Sequence, residues 1–220
     1  MKRPLLLDLF CGAGGCAVGY HRAGFEVVGV DVKPQPRYPF VMVIANAMRP
    51  PFHMAAFDAI HASPPCQRYS VLAAMHPGSN YPDLLPQTRA LLQSSGRPYV
   101  IENVETAPMD RHSGLFGFGV VLCGSMFGLG VSRGYLRRHR CFETSFPVAQ
   151  PRCRHSGNAV GVYGHGGHSG KRRMLYRKEA AQAMGIDWMT RDEMTQAIPP
   201  AYTKFIGEHL MDCIKGKQCA

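Results

Sequence analysis

The chain is expected to fold as an α/β protein: a doubly wound, mostly parallel sheet carrying a small basic lobe. Three observations predict this. The first half alternates short apolar runs with helix-compatible stretches, the pattern of a parallel sheet covered by helices on both faces. Each run ends in a turn rich in glycine, proline or polar residues, and the residues that bear chemistry gather at those ends. After about residue 130 the composition shifts, with eleven Lys or Arg and one acid, Glu143, between 133 and 178.

The elements follow in order. Residues 4–10 read as a first strand that runs into the Gly-rich turn DLFCGAGG, and a helix is expected over 18–23. A second strand over 26–30 ends on Asp31. Residues 40–44, 57–62 and 98–101 are further short apolar runs, read as buried strands. The segment RKEAAQAMGI, from Arg177, has helical character, and a last helix follows the Pro199–Pro200 pair, because proline is tolerated in a first helical turn. No internal repeat is present. The expected division is a catalytic and cofactor-binding domain over 1–142, a basic lobe over 143–176, and C-terminal helices over 177–220 that return to the first domain.

Composition narrows the function classes. The 220 residues are 45% hydrophobic and 18% charged, enough apolar material for a proper core, which excludes a disordered or collagen-like chain. The formal net charge of +10 points to a polyanionic partner, nucleic acid first, and the clustering over 133–178 favours that over a merely basic surface. The eight cysteines, at 11, 16, 66, 123, 141, 153, 213 and 219, contain no CxxC pair and no disulfide framework. Reduced thiols and a cytoplasmic location are therefore expected. The first apolar run meets Asp8 at once, too soon for a signal peptide or a membrane span.

Ligands of an open α/β sheet bind beyond the carboxyl ends of its strands. Asp8 to Gly15, Asp31, Asn46, Ser63 to Gln67 and Glu102 to Val104 all fall there. Gly12, Gly14 and Gly15 allow close backbone approach to a ligand. Asp31, at the end of the second strand, suits ribose hydroxyls, with a turn or cap acid as the alternative. The spacing GAGG is not GxGxxG, so any adenosine-containing cofactor remains open.

Ser63-Pro64-Pro65-Cys66-Gln67 is the most informative segment. Two prolines make a rigid, extended approach to one cysteine at a strand end. A nucleophilic thiolate needs that kind of fixed, partly exposed position; the alternative is a buried structural cysteine. Glu102-Asn103-Val104 ends the next strand, so Glu102 is placed to face the same pocket.

DLFCGAGG, SPPCQ and ENV, in this order and at this spacing, resemble the core motifs of the cytosine-C5 DNA methyltransferase family. Arg138-His139-Arg140 resembles the family's paired arginines, although Leu136 stands where the family has glutamine. Lys178 to Ala181 with Met184-Gly185-Ile186, and Ala197-Ile198-Pro199-Pro200 through Ile206-Gly207, resemble its late helix and C-terminal cofactor motif. Gln196 replaces the usual asparagine. The resemblance covers almost the whole chain.

It implies a Rossmann-like methyltransferase fold and S-adenosyl-L-methionine as cofactor. The partner it implies is double-stranded DNA, with the target cytosine flipped out of the duplex. No membrane and no obligatory protein partner are expected, and a monomer suffices. Cys66 would be the nucleophile, Glu102 the group at N3 of the base, and Arg138 and Arg140 the cations that favour the thiolate or hold O2 and phosphate. Asp8, Phe10, Gly12, Gly14, Asp31, Val32 and Pro64 would hold the cofactor, with Asn46 and Ala47 near the adenine. Asn46 replaces the family's acid, so its carbonyl oxygen would accept without charge. Gln67, Arg68, Ser70 and Asn103 would contact the substrate.

In this family the segment between the arginine pair and the late helix recognises the target. Here it is short and basic, with Arg152, Arg154, Lys171, Arg172 and Arg173 available for phosphates. A short or relaxed recognition sequence is expected. No metal is expected, because Cys153, His155, His165 and His168 include one cysteine; Cys123 and Cys141 join only if the fold brings them close. Methylation of transfer RNA, transfer of a modified methyl group, and a catalytically inactive DNA-binding protein are the competing readings.

Overall fold

A computed structural model describes residues 2–70, 80–110, 119–163 and 173–216. Five parallel strands form the heart of the main sheet: β1 (Leu5–Leu9), β2 (Glu26–Asp31), β3 (Val41–Ile44), β4 (Ala59–Ala62) and β5 (Tyr99–Asn103). β6 (Gly119–Leu122) lies at one edge. Two short strands of a second sheet come next, β7 (Gly130–Val131) and β8 (Gly134–Leu136). β9 (Arg140–Thr144) then returns to the main sheet and pairs antiparallel with both β5 and β6. The strand order is β3-β2-β1-β4-β5-β9-β6. The expected doubly wound, mostly parallel sheet is therefore present.

Alternation along the strands supplies both faces of the core. On β1, Leu6 packs with Tyr20, Phe25, Phe142 and Tyr202 on one face, while Leu7 and Leu9 pack with Ile60, Leu92 and Ile101 on the other. The first face is covered by α1 (Gly15–Arg22), and α2 (Leu85–Ser94) contributes Leu85 and Leu92 to the second. α3 (Arg177–Met184) and α4 (Arg191–Gln196) precede a long α5 (Pro200–Ile214), which packs on α1. α4 starts at a capping box: Glu193 N donates to Thr190 Oγ1 at 3.3 Å, and Thr190 N donates to Glu193 Oε2 at 2.6 Å.

The second sheet has the order β11-β10-β8-β7, with β10 (Ala159–Gly161) and β11 (Arg173–Met174). Leu136, Val160, Val162 and Leu175 bury against Ala180, Ala183 and Met184 of α3. The small sheet thus takes strands from both sides of β9, and the late helix covers it. Among the described residues no helix is long and apolar enough to cross a membrane. Among the described residues, six cysteines form no disulfide.

The α1–α5 contact is close because Gly19 has no side chain. A Cβ there would lie 2.0 Å from Thr203 Oγ1 and 2.3 Å from the Pro200 carbonyl oxygen. Gly19→Ala is expected to destabilise the fold by about 1–3 kcal/mol through overpacking, measured as a lower urea midpoint with an unchanged slope.

Candidate active site

The strand order reverses between β1 and β4: β1 pairs with β2 on one side and β4 on the other. Connections leaving these strands diverge, so a crevice opens at their carboxyl ends. A cavity of about 520 Å3 lies there, and its wall runs from the glycine turn after β1 through Ser63–Gln67 to Glu102 and Arg140. The turn after β1 is unusual. Phe10 has φ 57°, the one non-glycine residue with positive φ among the described residues. A bulky residue in that region costs about 1–2 kcal/mol, and such strain gathers at functional turns. Phe10, Gly12, Asp31, Val32 and Pro64 all line the cavity, as expected for one wall of a ligand site. Gly14 instead caps α1 with φ 87°.

Two carboxylates face this wall. Asp31 Oδ2 accepts from Gly12 N and Oδ1 from Lys33 N, both at 3.0 Å. It shapes the turn and keeps further lone pairs for a ligand. Asp8 is buried, and its Oδ1 has no hydrogen-bond partner. Burial is the main cause that pushes the Asp8 carboxyl up to about 8; the Tyr38 hydroxyl opposes it and the Asp31 charge adds to it. An orphaned carboxyl oxygen in the wall suits a ligand with a cationic or donor group.

The far wall holds the thiol. Pro64 and Pro65 deliver Cys66 to a partly exposed position, after which the chain turns into a 3-10 turn at Gln67–Tyr69. Glu102, buried at the end of β5, pairs with Arg140 at the start of β9, with Nε to Oε1 at 3.3 Å. Antiparallel β9 beside β5 sets this pair. Burial pushes the Cys66 thiol above its ordinary range and the Glu102 charge adds to it, while Arg140, the backbone and Arg138 pull it down. The arginines act in the expected direction, but burial outweighs them, so the resting group is a thiol. Burial also raises the Glu102 carboxyl against Arg140, Ser63 and Arg138.

A buried relay stands behind Glu102. The Tyr20 hydroxyl is 2.9 Å from His61 Nδ1, and His61 Nε2 is 2.9 Å from Ser63 Oγ. Ser63 in turn hydrogen-bonds the Glu102 carboxyl. Burial lowers His61 to about 3, so its ring is neutral. Neither Tyr20 nor His61 was singled out in the sequence, and Ser63 was named only as part of the segment that leads to Cys66. The histidine inside the apolar run AIHA was the available signal.

Other expected site residues take different places. Arg138 does not line the cavity. Its guanidinium is buried and donates to three carbonyl oxygens: Val162 at 2.9 Å, Thr195 at 2.7 Å and Ala197 at 2.9 Å. It ties the main sheet to the small lobe and to α4, and of the two expected arginines Arg140 lines the cavity. Asn103 is buried, with Nδ2 donating to the Pro64 carbonyl oxygen at 3.0 Å. It holds the proline segment from beneath and does not line the cavity. Asn46 is exposed, its Oδ1 accepts from Met48 N at 2.9 Å, and neither it nor buried Ala47 lines the cavity. Gln67 lines the cavity. Arg68 lies 3.8 Å from Asp83, Tyr69 also bonds Asp83, and Ser70 N donates to the Cys66 carbonyl. Arg152 and Arg154 are exposed, whereas Lys171 and Arg172, like His165 and His168, lie outside the described residues, as does the side chain of Arg173. Gln196, Ala197 and Ile198 close the cofactor-side rim, so the C-terminal motif does return to the site.

The fold is that of Rossmann-like methyltransferases. The structure is similar to a protein described as a DNA modification methyltransferase encoded within a prophage of E. coli, with a TM-score of 0.62 and 14% identity over 96% of this chain and 99% of the other. It is also similar to the S. pombe Dnmt2 methyltransferase, with a TM-score of 0.57 and 10% identity over 97% and 99%. The Entamoeba histolytica methyltransferase EhMeth has a TM-score of 0.58 and 14% identity over 97% and 99%. In sequence, an alignment 130 positions long that covers 51% of this chain is 26% identical to the type II methyltransferase M.XorII of Xanthomonas oryzae pv. oryzae. The chain spans 31% of that relative's length. No protein-family model matches.

The Asp8 carboxyl has a consequence for stability. Folded Asp8 keeps its proton to about 8, whereas the unfolded group releases it near 3.8. The folded state therefore holds the extra proton between those values, and stability falls as pH rises through that window. Asp8→Asn removes this slope. Urea unfolding should find the variant gaining more on the wild type at about pH 8 than at about pH 5; the same difference at both would contradict the assignment.

Proposed function

We propose that the chain is a DNA (cytosine-5-)-methyltransferase that uses S-adenosyl-L-methionine and attacks its target base with Cys66. The observation that carries this reading is the convergence of Cys66, Glu102 and Arg140 on one cavity that continues into the glycine turn and Asp31. A thiol, a carboxyl of raised proton affinity and a guanidinium are what cytosine methylation at carbon 5 requires.

The residues present fit the cofactor. Asp31 would take the ribose hydroxyls with its remaining lone pairs, Phe10 and Val32 would flank the adenosine, and Asp8 Oδ1 would gain a partner. When bound, S-adenosylmethionine supplies an electrophilic methyl group. Carbon 5 of cytosine is a poor nucleophile until C6 has been attacked. Cys66 gives up its proton to solvent water and bonds to C6, which makes C5 enamine-like. Glu102 hydrogen-bonds or protonates N3 as charge moves onto the ring. Arg140 orients Glu102 and favours the Cys66 thiolate. The relay through Ser63 and His61 fixes the Glu102 carboxyl. After methylation, loss of the C5 proton and departure of Cys66 restore the aromatic ring. The base must leave the duplex to meet Cys66. Exposed Arg152 and Arg154, and the lobe that bears them, would hold phosphates while Gln67 and Arg68 border the flipped base.

Methyl transfer from labelled S-adenosylmethionine to duplex DNA, with total transfer RNA as the parallel substrate, tests this reading. Cys66→Ala should lower transfer to DNA by roughly a thousandfold or more, and Glu102→Gln by about 10²–10⁴-fold, with cofactor binding retained in both. Full activity of Cys66→Ala would overturn the covalent mechanism. Labelling of transfer RNA but not DNA would overturn the substrate.

A further inference from the structure

We propose that the chain carries a structural zinc site made by Cys123, His139, Cys153 and His155. One ligand atom from each residue lies within 4.8 Å of every other. Cys123 Sγ is 3.4 Å from His155 Nε2, and Cys153 Sγ is 3.5 Å from His139 Nε2. Zinc bonds of about 2.3 Å to sulfur and 2.0 Å to nitrogen at tetrahedral angles give S–N edges of about 3.5 Å. These two sulfur–nitrogen distances match the edges of a tetrahedral Cys2His2 shell.

The surroundings of the quartet are those of a metal site. The Glu105 carboxylate lies 3.8 Å from His139 Nδ1, the nitrogen that faces away from the centre. A carboxylate behind a ligating histidine fixes its ring and tautomer. The His155 ring stacks on Tyr135, 5.4 Å away at 13°. Ser125 Oγ donates to Cys123 Sγ at 3.5 Å and accepts from Arg154 N at 3.2 Å. Soft thiolates with imidazole in a tetrahedral arrangement select zinc over oxygen-seeking cations. With all four positions taken by protein, the site leaves none for a reacting water, so its role is structural.

The ligands come from three places that need joining. Cys123 follows β6, His139 stands between Arg138 and Arg140, and Cys153 and His155 lie in the exposed segment before β10. The metal would clamp that segment to the end of edge strand β6 and the start of β9, beside Arg140. Cys153 and His155 also alternate with Arg152 and Arg154, so the clamp would set the direction of both guanidiniums. That last consequence rests on the proposed function; the metal site does not. The ground for expecting no metal was the single cysteine in the basic segment. The fold removes it by bringing in Cys123, while Cys141 is buried in the core on β9 and His165 and His168 lie outside the described residues.

The full chain, purified without a metal-affinity step and dialysed against trace zinc, should contain about one zinc per molecule by elemental analysis. The double variant Cys153→Ser/His155→Ala, at exposed positions, should lose it roughly tenfold or more, with an unchanged far-ultraviolet circular dichroism spectrum. Cobalt(II) in the wild type should give a thiolate-to-cobalt charge-transfer band that the variant lacks. Wild-type protein without stoichiometric metal, a variant that retains it, or a Cys123–Cys153 disulfide under reducing conditions would each overturn the site. All these readouts are independent of methyl transfer.

Discussion

Parallel pairing of β1 with β2 on one side and β4 on the other is the constraint from which the site follows. Chain leaving β1 and β4 must turn away in opposite senses, and no helix can fill the gap between them. The glycine turn after β1 and the proline segment after β4 therefore face each other across one crevice. Ser63 N donates to the Leu9 carbonyl at 3.2 Å, so the two walls are joined at their base by a main-chain hydrogen bond. The rest of the catalytic wall is added by neighbours. β5 beside β4 brings Glu102, and antiparallel β9 beside β5 brings Arg140.

The two ends of the crevice are electrostatically distinct. At the glycine end, buried or half-buried carboxyls dominate, and Asp8 keeps one oxygen without a partner. At the cysteine end, a single ion pair and a neutral relay hold a thiol and a carboxyl, both with raised proton affinity. A site that keeps its nucleophile protonated at rest limits reaction with adventitious electrophiles. In the proposed reaction, activation would fall to the moment when substrate displaces water and Arg140 acts at lower dielectric.

The parallel strands were legible because a strand buried on both faces reads as a continuous apolar run with its chemistry at one end. Asp31, Cys66 and Glu102 could be placed from this alone. α4 was missed although Thr190 and Glu193 carry the spacing of a capping box, because the helix is short and follows another without a long apolar stripe. Arg138 and Arg140 could not be told apart. The carbonyls that capture Arg138 belong to Val162, Thr195 and Ala197, which are distant in sequence. Asn46 stands at a strand end like the others, but its own turn takes its carbonyl oxygen. In the Cys123, His139, Cys153 and His155 quartet only Cys153 and His155 are close in sequence; β6 and β9 of the main sheet bring Cys123 and His139 to them.

The central claim is that Cys66 bonds to carbon 6 of a cytosine delivered to this crevice. Replacing the C5 hydrogen of the target base with fluorine leaves the addition intact and blocks the final elimination, since no C5 proton can be lost. Duplex DNA with 5-fluorocytosine at methylated positions, incubated with the chain and S-adenosylmethionine, should yield a denaturant-stable complex. Peptide mass spectrometry should place the cross-link on Cys66. Methylation of ordinary DNA with no such complex, or a cross-link on another residue, would contradict the account.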